Sequence, residues 1–178
     1  MSASYEADFF VATSYESIYS VCMQLIGILL DIRSLHNVGS MFRTADGAGV
    51  EQLYLCGITP QPFDRFGRLQ KEFTKTALGS EKSVEWKYIK SVTRVIKKLK
   101  KDGYVVCGIE QSEISIPYDQ FKKQGYRKIA FIVGNEVSGI SPRILKQCDK
   151  ILEIPMKGEK ESLNVSVAFG IIAYELKK

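Results

Sequence analysis

Residues 128–142 read KIAFIVGNEVSGISP, in which a near-continuous apolar run ends abruptly in glycines and polar residues. A run that is apolar at successive positions is typical of a strand covered on both faces, as the strands of parallel sheets are. Similar runs occur at residues 27–32, 52–56, 104–109 and 150–154, and residues 84–88 form a weaker one. These six runs are the predicted strands.

Helical patterns separate the predicted strands. Residues 91–101 carry apolar side chains at i, i+3, i+4 and i+7, and a glycine follows as a stop signal. Further helices are predicted at residues 37–47, 142–147 and 164–176. The alternation of strands and helices predicts an α/β domain whose mainly parallel sheet is flanked by helices.

The composition is that of a single globular domain. The chain has 178 residues, 45% of them hydrophobic and 25% charged, with a net charge of +5. These values exclude a disordered or fibrous chain, and they permit an anionic partner without requiring one. We expect residues 1–25 to be an N-terminal extension, with acidic but no basic side chains, and residues 26–178 to be the domain.

The cysteines indicate the cell compartment. Four of them are spread along the chain without a C-x-x-C pair: Cys22, Cys56, Cys107 and Cys148. We expect them to be small buried side chains in a reducing cytoplasm rather than disulfides. The longest apolar run, residues 21–30, is too short to span a bilayer, so no membrane association is expected.

Two surfaces carry information about partners. The helix at 164–176 is apolar on nearly every side, which predicts the sheet on one face and a second subunit on the other. Residues 60–101 hold twelve Lys and Arg but four Asp and Glu. Within them, the loop at 60–75 interleaves phenylalanines with Arg65, Arg68, Lys71 and Lys75. Stacking rings beside cations suit single-stranded RNA, and the alternative is an ordinary solvated loop.

Unusual polar sequences follow three of the strands, at residues 31–49, 132–142 and 154–168. Ligands of open α/β sheets bind beyond the carboxyl ends of the strands, so the three segments predict one site built from three loops. In the first segment, Asn37 should face the strand ends from the helix start, and Arg43 should lie over a turn further along. Gly39 costs helix stability there and predicts a close neighbour.

The other two segments add further candidates. Gly134 follows a strand, where it permits a positive φ or the close approach of a ligand. Glu136 has two candidate partners, Arg43 or a loop amide. Ser162 and Asn164 flank the start of the last helix, and either can be its N-cap. The only histidine, His36, adjoins Asn37 and is interpreted as structural or close to RNA rather than catalytic.

Three motifs in these segments carry a family resemblance: HNVGSMFRTA at 36–45, VGNEVSGI at 133–140 and IPM followed by SLNVSVA at 154–168. Their sequences and order closely resemble those of the SpoU/TrmH group of SPOUT RNA ribose methyltransferases, over residues 28–176. The chain departs from the pattern at Leu35, where many members have proline, which concerns the geometry of that turn.

The resemblance implies a SPOUT-type fold with a C-terminal trefoil knot and S-adenosyl-L-methionine as cofactor. It also implies a homodimer formed through the C-terminal helix, and methylation of a ribose 2′-hydroxyl in tRNA or rRNA. The cofactor would lie against eight residues: Ile132, Val133, Gly134, Ile154, Pro155, Met156, Ser162 and Leu163. No metal and no DNA are implied.

The resemblance also assigns catalytic roles. Arg43 would be essential, although a guanidinium is a poor proton acceptor, which favours charge stabilisation over base catalysis. Asn37 and Asn164 would orient Arg43 or the ribose, Glu136 would fix the loop and balance the charge of Arg43, and Ser162 would link Arg43 to the cofactor. The alternatives are a catalytically inactive SPOUT-like RNA-binding protein and an unrelated dinucleotide enzyme. The latter is disfavoured because no G-x-G-x-x-G follows a predicted strand.

Overall fold

The fold is built on a seven-stranded sheet. The computed structural model describes residues 23–178. The strands are β1 Gln24–Leu30, β2 Gln52–Cys56, β3 Glu85–Tyr88, β4 Val105–Ile109, β5 Ile116–Pro117, β6 Lys128–Val133 and β7 Lys150–Glu153. They are arranged in the order β3-β2-β1-β6-β4-β7-β5, and every neighbouring pair is parallel. The predicted α/β class with a parallel sheet is confirmed.

Helices cover both faces of the sheet. They are α1 Leu35–Ala48, α2 Lys71–Ala77, α3 Val92–Lys101, α4 Pro142–Leu145 and α5 Val165–Lys177, with a 3₁₀ turn at Tyr118–Gln120. Side chains from α1, α2 and α5 share one hydrophobic cluster with the sheet, and side chains from α3 and α4 form a second. The two clusters explain why the strands are apolar at successive positions.

The first strand differs from its prediction because of Asp31. The prediction of 27–32 included this residue, but Asp31 has a φ of +55° and β1 ends before it. Left-handed backbone cannot continue a strand. At its other end, β1 begins at Gln24, so the sheet starts two residues before the predicted domain boundary at 26. The predicted extension lies almost entirely outside the described residues.

Part of the predicted loop at 60–75 is helical. Residues Lys71–Ala77 form α2, in which Phe73 and Ala77, one turn apart, are both buried. They pack against α1 at Gly39, where an added Cβ would be 2.2 Å from the Thr76 hydroxyl oxygen and 2.8 Å from the Phe73 carbonyl oxygen. The close neighbour predicted for Gly39 is therefore α2.

Helix α5 is buried on one side only. Val165, Phe169, Ile172 and Leu176 are buried. Val167 and Tyr174 are 50% and 56% exposed in the described structure. The prediction that one face lies against the sheet is confirmed, and the other face stays open in the single chain.

Two of the four cysteines are buried as the sequence predicted. Cys56 and Cys107 are buried and Cys148 is half-buried, all three as free thiols, whereas Cys22 lies outside the described residues. Burial raises the pKa of Cys56 and of Cys107 to about 12, and that of Cys148 to about 11. Within residues 23–178, none of the helices has the length and apolarity needed to cross a bilayer.

Candidate active site

A pocket lies at the carboxyl ends of β4, β6 and β7, the edge where parallel sheets bind ligands. It encloses about 200 Å³ and is open on one side. Its walls come from four segments, at residues 109–111, 133–139, 153–156 and 162–168. Two of the three segments singled out by sequence, 132–142 and 154–168, therefore meet here as predicted.

Most of the predicted cofactor residues line this pocket: Val133, Gly134, Ile154, Met156, Ser162 and Leu163. The side chains of Ile132 and Pro155 do not. Ile132 is fully buried in the cluster on the α3 side of the sheet, because successive side chains of a strand point to opposite faces. Only the backbone of Ile132 can contribute to the pocket.

Gly134 is required by the packing of its own loop. It is not among the glycines with positive φ. A Cβ at this position would be 2.6 Å from the Gly139 carbonyl carbon and 2.6 Å from the Ile140 side chain. Gly134 therefore permits the close approach of Gly139 and Ile140, where the loop turns back on itself at the pocket wall.

A chain of hydrogen bonds joins the three motif segments beside the pocket. The Asn37 side-chain amide donates to Glu136 Oε1 at 3.0 Å, and the Asn164 amide donates to Asn37 Oδ1 at 3.4 Å. Asn37 lies in the first turn of α1, Glu136 in the loop after β6, and Asn164 at the start of α5. The segment 31–49 therefore reaches the site through Asn37.

Glu136 also binds the backbone that directly precedes α1, where Ser34 is the N-cap. Its carboxylate accepts hydrogen bonds from the backbone N–H groups of Arg33 at 3.0 Å and Ser34 at 3.3 Å. Burial opposes its ionisation, but bonds from Arg33, Asn37, its own N–H and Ser34 outweigh this and hold the pKa of Glu136 below its ordinary value. Of the two predicted partners, the structure has the backbone amides, and among the described residues Glu136 forms no ion pair with Arg43. Glu136 also accepts a hydrogen bond from Asn37.

Two neighbouring side chains hold the same loop. The Asn135 amide donates to the Asp31 carbonyl at 2.8 Å, and its oxygen accepts from the N–H of Val137 at 2.9 Å. Glu110, directly after β4, accepts from the N–H of Ile140 at 2.8 Å. Sequence reasoning missed Glu110, although an acid directly after a predicted strand was a signal that could have identified it.

Arg43 does not line this pocket, contrary to the prediction of one shared site. It is exposed, and it borders a separate groove with Lys75, Thr76 and Tyr174. Six helical residues place it about 9 Å further along the axis of α1 than Asn37. Among the described residues, the side chain of Arg43 forms no hydrogen bond, so the predicted links from Ser162 and Glu136 to Arg43 are absent from the single chain.

The start of α5 settles which residue is the N-cap. Asn164 accepts a hydrogen bond from the Ser166 N–H at 2.9 Å, whereas Ser162 is exposed in the pocket wall. Capping is therefore the role of Asn164. The side chain of His36 is exposed, and its carbonyl accepts from the Thr76 hydroxyl at 3.1 Å, which ties α1 to α2.

The predicted RNA-binding cations occupy two elements. Arg65 and Arg68 flank Phe66 in the loop before α2. Lys71 and Lys75 lie on α2, where Lys75 pairs with Glu72 at 2.8 Å. Lys75 also borders the groove of Arg43, which brings that arginine and one predicted RNA contact together.

Comparison with known proteins places this architecture in a family. The model of the SpoU rRNA Methylase family matches residues 24–174. The tRNA (guanosine(18)-2′-O)-methyltransferase of Aquifex aeolicus is 34% identical, over 83% of this chain and 66% of its own length. The 23S rRNA (guanosine-2′-O-)-methyltransferase RlmB of Acinetobacter baylyi is 32% identical, over 79% of this chain and 54% of its own. The chain thus spans about half to two thirds of the length of these relatives.

Solved structures share the fold. The TrmH/SpoU tRNA modifying enzyme of A. aeolicus superposes with a TM-score of 0.74 at 29% identity, covering 88% of this chain and 76% of that one. An AdoMet-bound rRNA methyltransferase from Sinorhizobium meliloti gives a TM-score of 0.78 at 23% identity, covering 86% of this chain and 56% of that one.

Proposed function

Because this chain belongs to the SpoU rRNA methylase family, we propose that it transfers a methyl group from S-adenosylmethionine to a ribose 2′-hydroxyl of a tRNA or rRNA. The observation that carries the proposal is the hydrogen-bonded chain of Glu136, Asn37 and Asn164 beside the pocket. It joins the three segments that the family motifs occupy, and it does so at the edge of the sheet where a ligand has access.

The pocket suits S-adenosylmethionine. Val133, Met156 and Leu163 provide apolar and soft surface for a flat ring, and the strand ends leave backbone groups near it for polar atoms. When bound, this cofactor would supply a methyl group on a positively charged sulfur. Its in-line transfer to the ribose oxygen would release S-adenosylhomocysteine, and the hydroxyl proton would pass to solvent water. The S. meliloti methyltransferase, which shares the fold, has AdoMet bound, and this supports the same choice.

The residues of the chain would position the ribose and stabilise the charge on its oxygen. Asn37 is held from both sides by Glu136 and Asn164, so its amide is fixed without the substrate. Because a guanidinium is a poor proton acceptor, we assign Arg43 to the neighbouring phosphate and the developing alkoxide rather than to proton removal.

In a homodimer, Arg43 of one protomer would come close to the pocket of the other. The open face of α5 includes Tyr174, which shares the groove of Arg43. A homodimer formed through α5 would therefore place Arg43 at the interface, where it can approach the pocket of the partner chain. This is the reason for keeping Arg43 among the catalytic residues although it lies outside the pocket of its own chain.

The C-terminal trefoil knot is implied by the family. The acidic N-terminal extension, a cytoplasmic location and RNA contacts by Arg65, Arg68, Lys71 and Lys75 rest on composition and on the sequence pattern. The inactive alternative has no observation in its favour, since Asn37, Glu136 and Asn164 are present and bonded to one another.

The test has a binding step and a transfer step. Calorimetry should detect S-adenosylhomocysteine binding to the wild-type chain and no binding of NAD. Incubation with methyl-labelled S-adenosylmethionine and unmodified tRNA or rRNA should then give labelled 2′-O-methyl nucleosides after digestion. Binding of the cofactor product and of RNA without transfer to either RNA would favour the inactive alternative. Failure to bind S-adenosylhomocysteine would overturn the proposal.

A further inference from the structure

The loop between β2 and α2 contains a closed turn, residues 63–69, which we call the Phe66 hairpin. Phe63 and Leu69 form an antiparallel bridge at its base, and Gly67 has a φ of +77° near its tip. At the base, Phe63 stacks on Trp86, with ring centroids 6.3 Å apart and planes at 23°. The hairpin is thereby attached to the edge strand β3.

Asp64 holds the hairpin in one shape. Its carboxylate accepts from the N–H groups of Phe66 at 2.8 Å and Arg68 at 3.0 Å, and it pairs with the Arg68 guanidinium at 2.8 Å. The backbone and side-chain bonds from Arg68 and the backbone bond from Phe66 outweigh desolvation and lower the pKa of Asp64. The turn is therefore formed before any partner arrives, which reduces the entropy lost on binding.

The tip of the hairpin presents an aromatic ring to solvent. Phe66 is 66% exposed, and the guanidinium carbons of Arg65 and Arg68 lie 4.7 and 4.9 Å from its ring centroid. Arg68 is also held by Asp64. Arg65 forms no ion pair within residues 23–178, so moving to a phosphate would cost it no existing carboxylate partner.

The hairpin lies next to the candidate active site. Its residues Asp64, Arg68 and Leu69 line a cleft together with Leu35, the first residue of α1. Leu35 is two residues before Asn37, and Asn37 is the centre of the hydrogen-bonded chain. If one ribose of an RNA strand lies at Asn37, neighbouring nucleotides of that strand can reach the Phe66 hairpin.

We propose that the Phe66 hairpin is a preformed RNA contact that stacks one unpaired base on Phe66, while Arg65 binds an adjacent phosphate. This inference rests on the proposed function, because it assigns a surface for the same RNA. Every base has a flat face that can stack on an aromatic ring, and the arginine side chains can bind phosphates of the RNA backbone. The loop and helix start at residues 60–75 hold four Lys and Arg against two Asp and Glu, which favours RNA over an apolar protein partner.

The experiment measures the affinity of the full chain for a fluorescein-labelled single-stranded oligouridylate of twelve nucleotides. We expect Phe66→Leu to weaken binding by at least about fivefold, because leucine keeps apolar surface but has no aromatic face. Phe66→Trp should restore or strengthen it. A blunt-ended RNA duplex serves as the second probe, and its weaker binding should be the same for all three proteins, because bases inside a duplex are already paired and stacked on one another.

Charge is tested in the same assay. Arg65→Ala should weaken binding and reduce its salt dependence, whereas Lys97→Ala, which removes an exposed charge from α3, should do neither. Unchanged affinity of Phe66→Leu, or equal losses for Phe66→Leu and Phe66→Trp, overturns the stacking contact while cofactor binding and methyl transfer still support the proposed function. Absence of wild-type binding to tRNA, rRNA and oligouridylate overturns both.

Discussion

Asn37 and Glu136 are 99 residues apart in the chain and are joined by a hydrogen bond of 3.0 Å. The same carboxylate accepts two backbone N–H groups just before α1. One side chain therefore fixes both the start of α1 and the loop that forms a wall of the pocket. Because β1 and β6 are neighbouring parallel strands, their carboxyl ends bring the two residues together.

Replacing Glu136 should weaken the contact between the start of α1 and the loop after β6. Glu136→Gln keeps the size of the side chain but removes the charge that favours the N-terminal end of α1. We expect a loss of about 0.5–1 kcal/mol in the free energy of unfolding, measured with urea, and weaker binding of S-adenosylhomocysteine. Glu159→Gln, at an exposed loop position, is the matched control and should change neither quantity.

The contribution of Glu136 to stability should depend on pH. Its pKa is lower in the folded chain than its ordinary value, so the ionised form stabilises the folded state. This stabilisation should be complete well above the ordinary value of about 4.3 and should be lost as the pH falls through the lower, folded value. The difference in unfolding free energy between wild type and Glu136→Gln should therefore shrink below about pH 4. A difference that grows on acidification would contradict the assignment.

Arg43→Ala should separate catalysis from cofactor binding. Since Arg43 lies outside the pocket, affinity for S-adenosylhomocysteine should stay within a few-fold of wild type. Methyl transfer should fall by at least about 100-fold, because the charge that stabilises the developing alkoxide is lost. Equal losses in both measurements would indicate a structural role instead.

Gly39→Ala should destabilise the contact between α1 and α2. The added methyl would collide with the Phe73 carbonyl oxygen at 2.8 Å, and we expect a loss of about 1–3 kcal/mol in the free energy of unfolding. Gly47→Ala in the same helix is the control, because its Cβ meets only the Tyr174 hydroxyl, at 3.0 Å on a flexible side chain. That variant should be neutral or slightly more stable, since alanine favours helices.

The open face of α5 provides a test of the dimer. Val167→Glu places a charge at a side chain that is 50% exposed in the single chain, so the fold itself should tolerate it. Sedimentation should show a dimer for wild type and a monomer for the variant, because burying an unpaired carboxylate in the interface costs several kcal/mol of desolvation free energy. A variant that sediments as wild type would exclude this face as the interface.

Local patterns were enough for most of the fold. The bounds of β2 and β6 agree with the prediction because their apolar runs are bounded by polar residues and turns. The predictions failed where the deciding interaction is not in the pattern. Strand β5 has two residues and no apolar run, and α2 is short and is stabilised by packing of Phe73 and Ala77.

The sequence by itself determined the alternation of strands and helices, and it identified Asn37, Glu136 and Asn164 as members of one site. Only the tertiary structure decided their contacts: which groups Glu136 binds, why Gly39 and Gly134 are glycines, and that Arg43 lies in a different groove. The physical reason is that these contacts depend on which strands become neighbours and how the helices pack. Runs of apolar residues specify a strand or a helix, but they do not encode the partner of a side chain a hundred residues away.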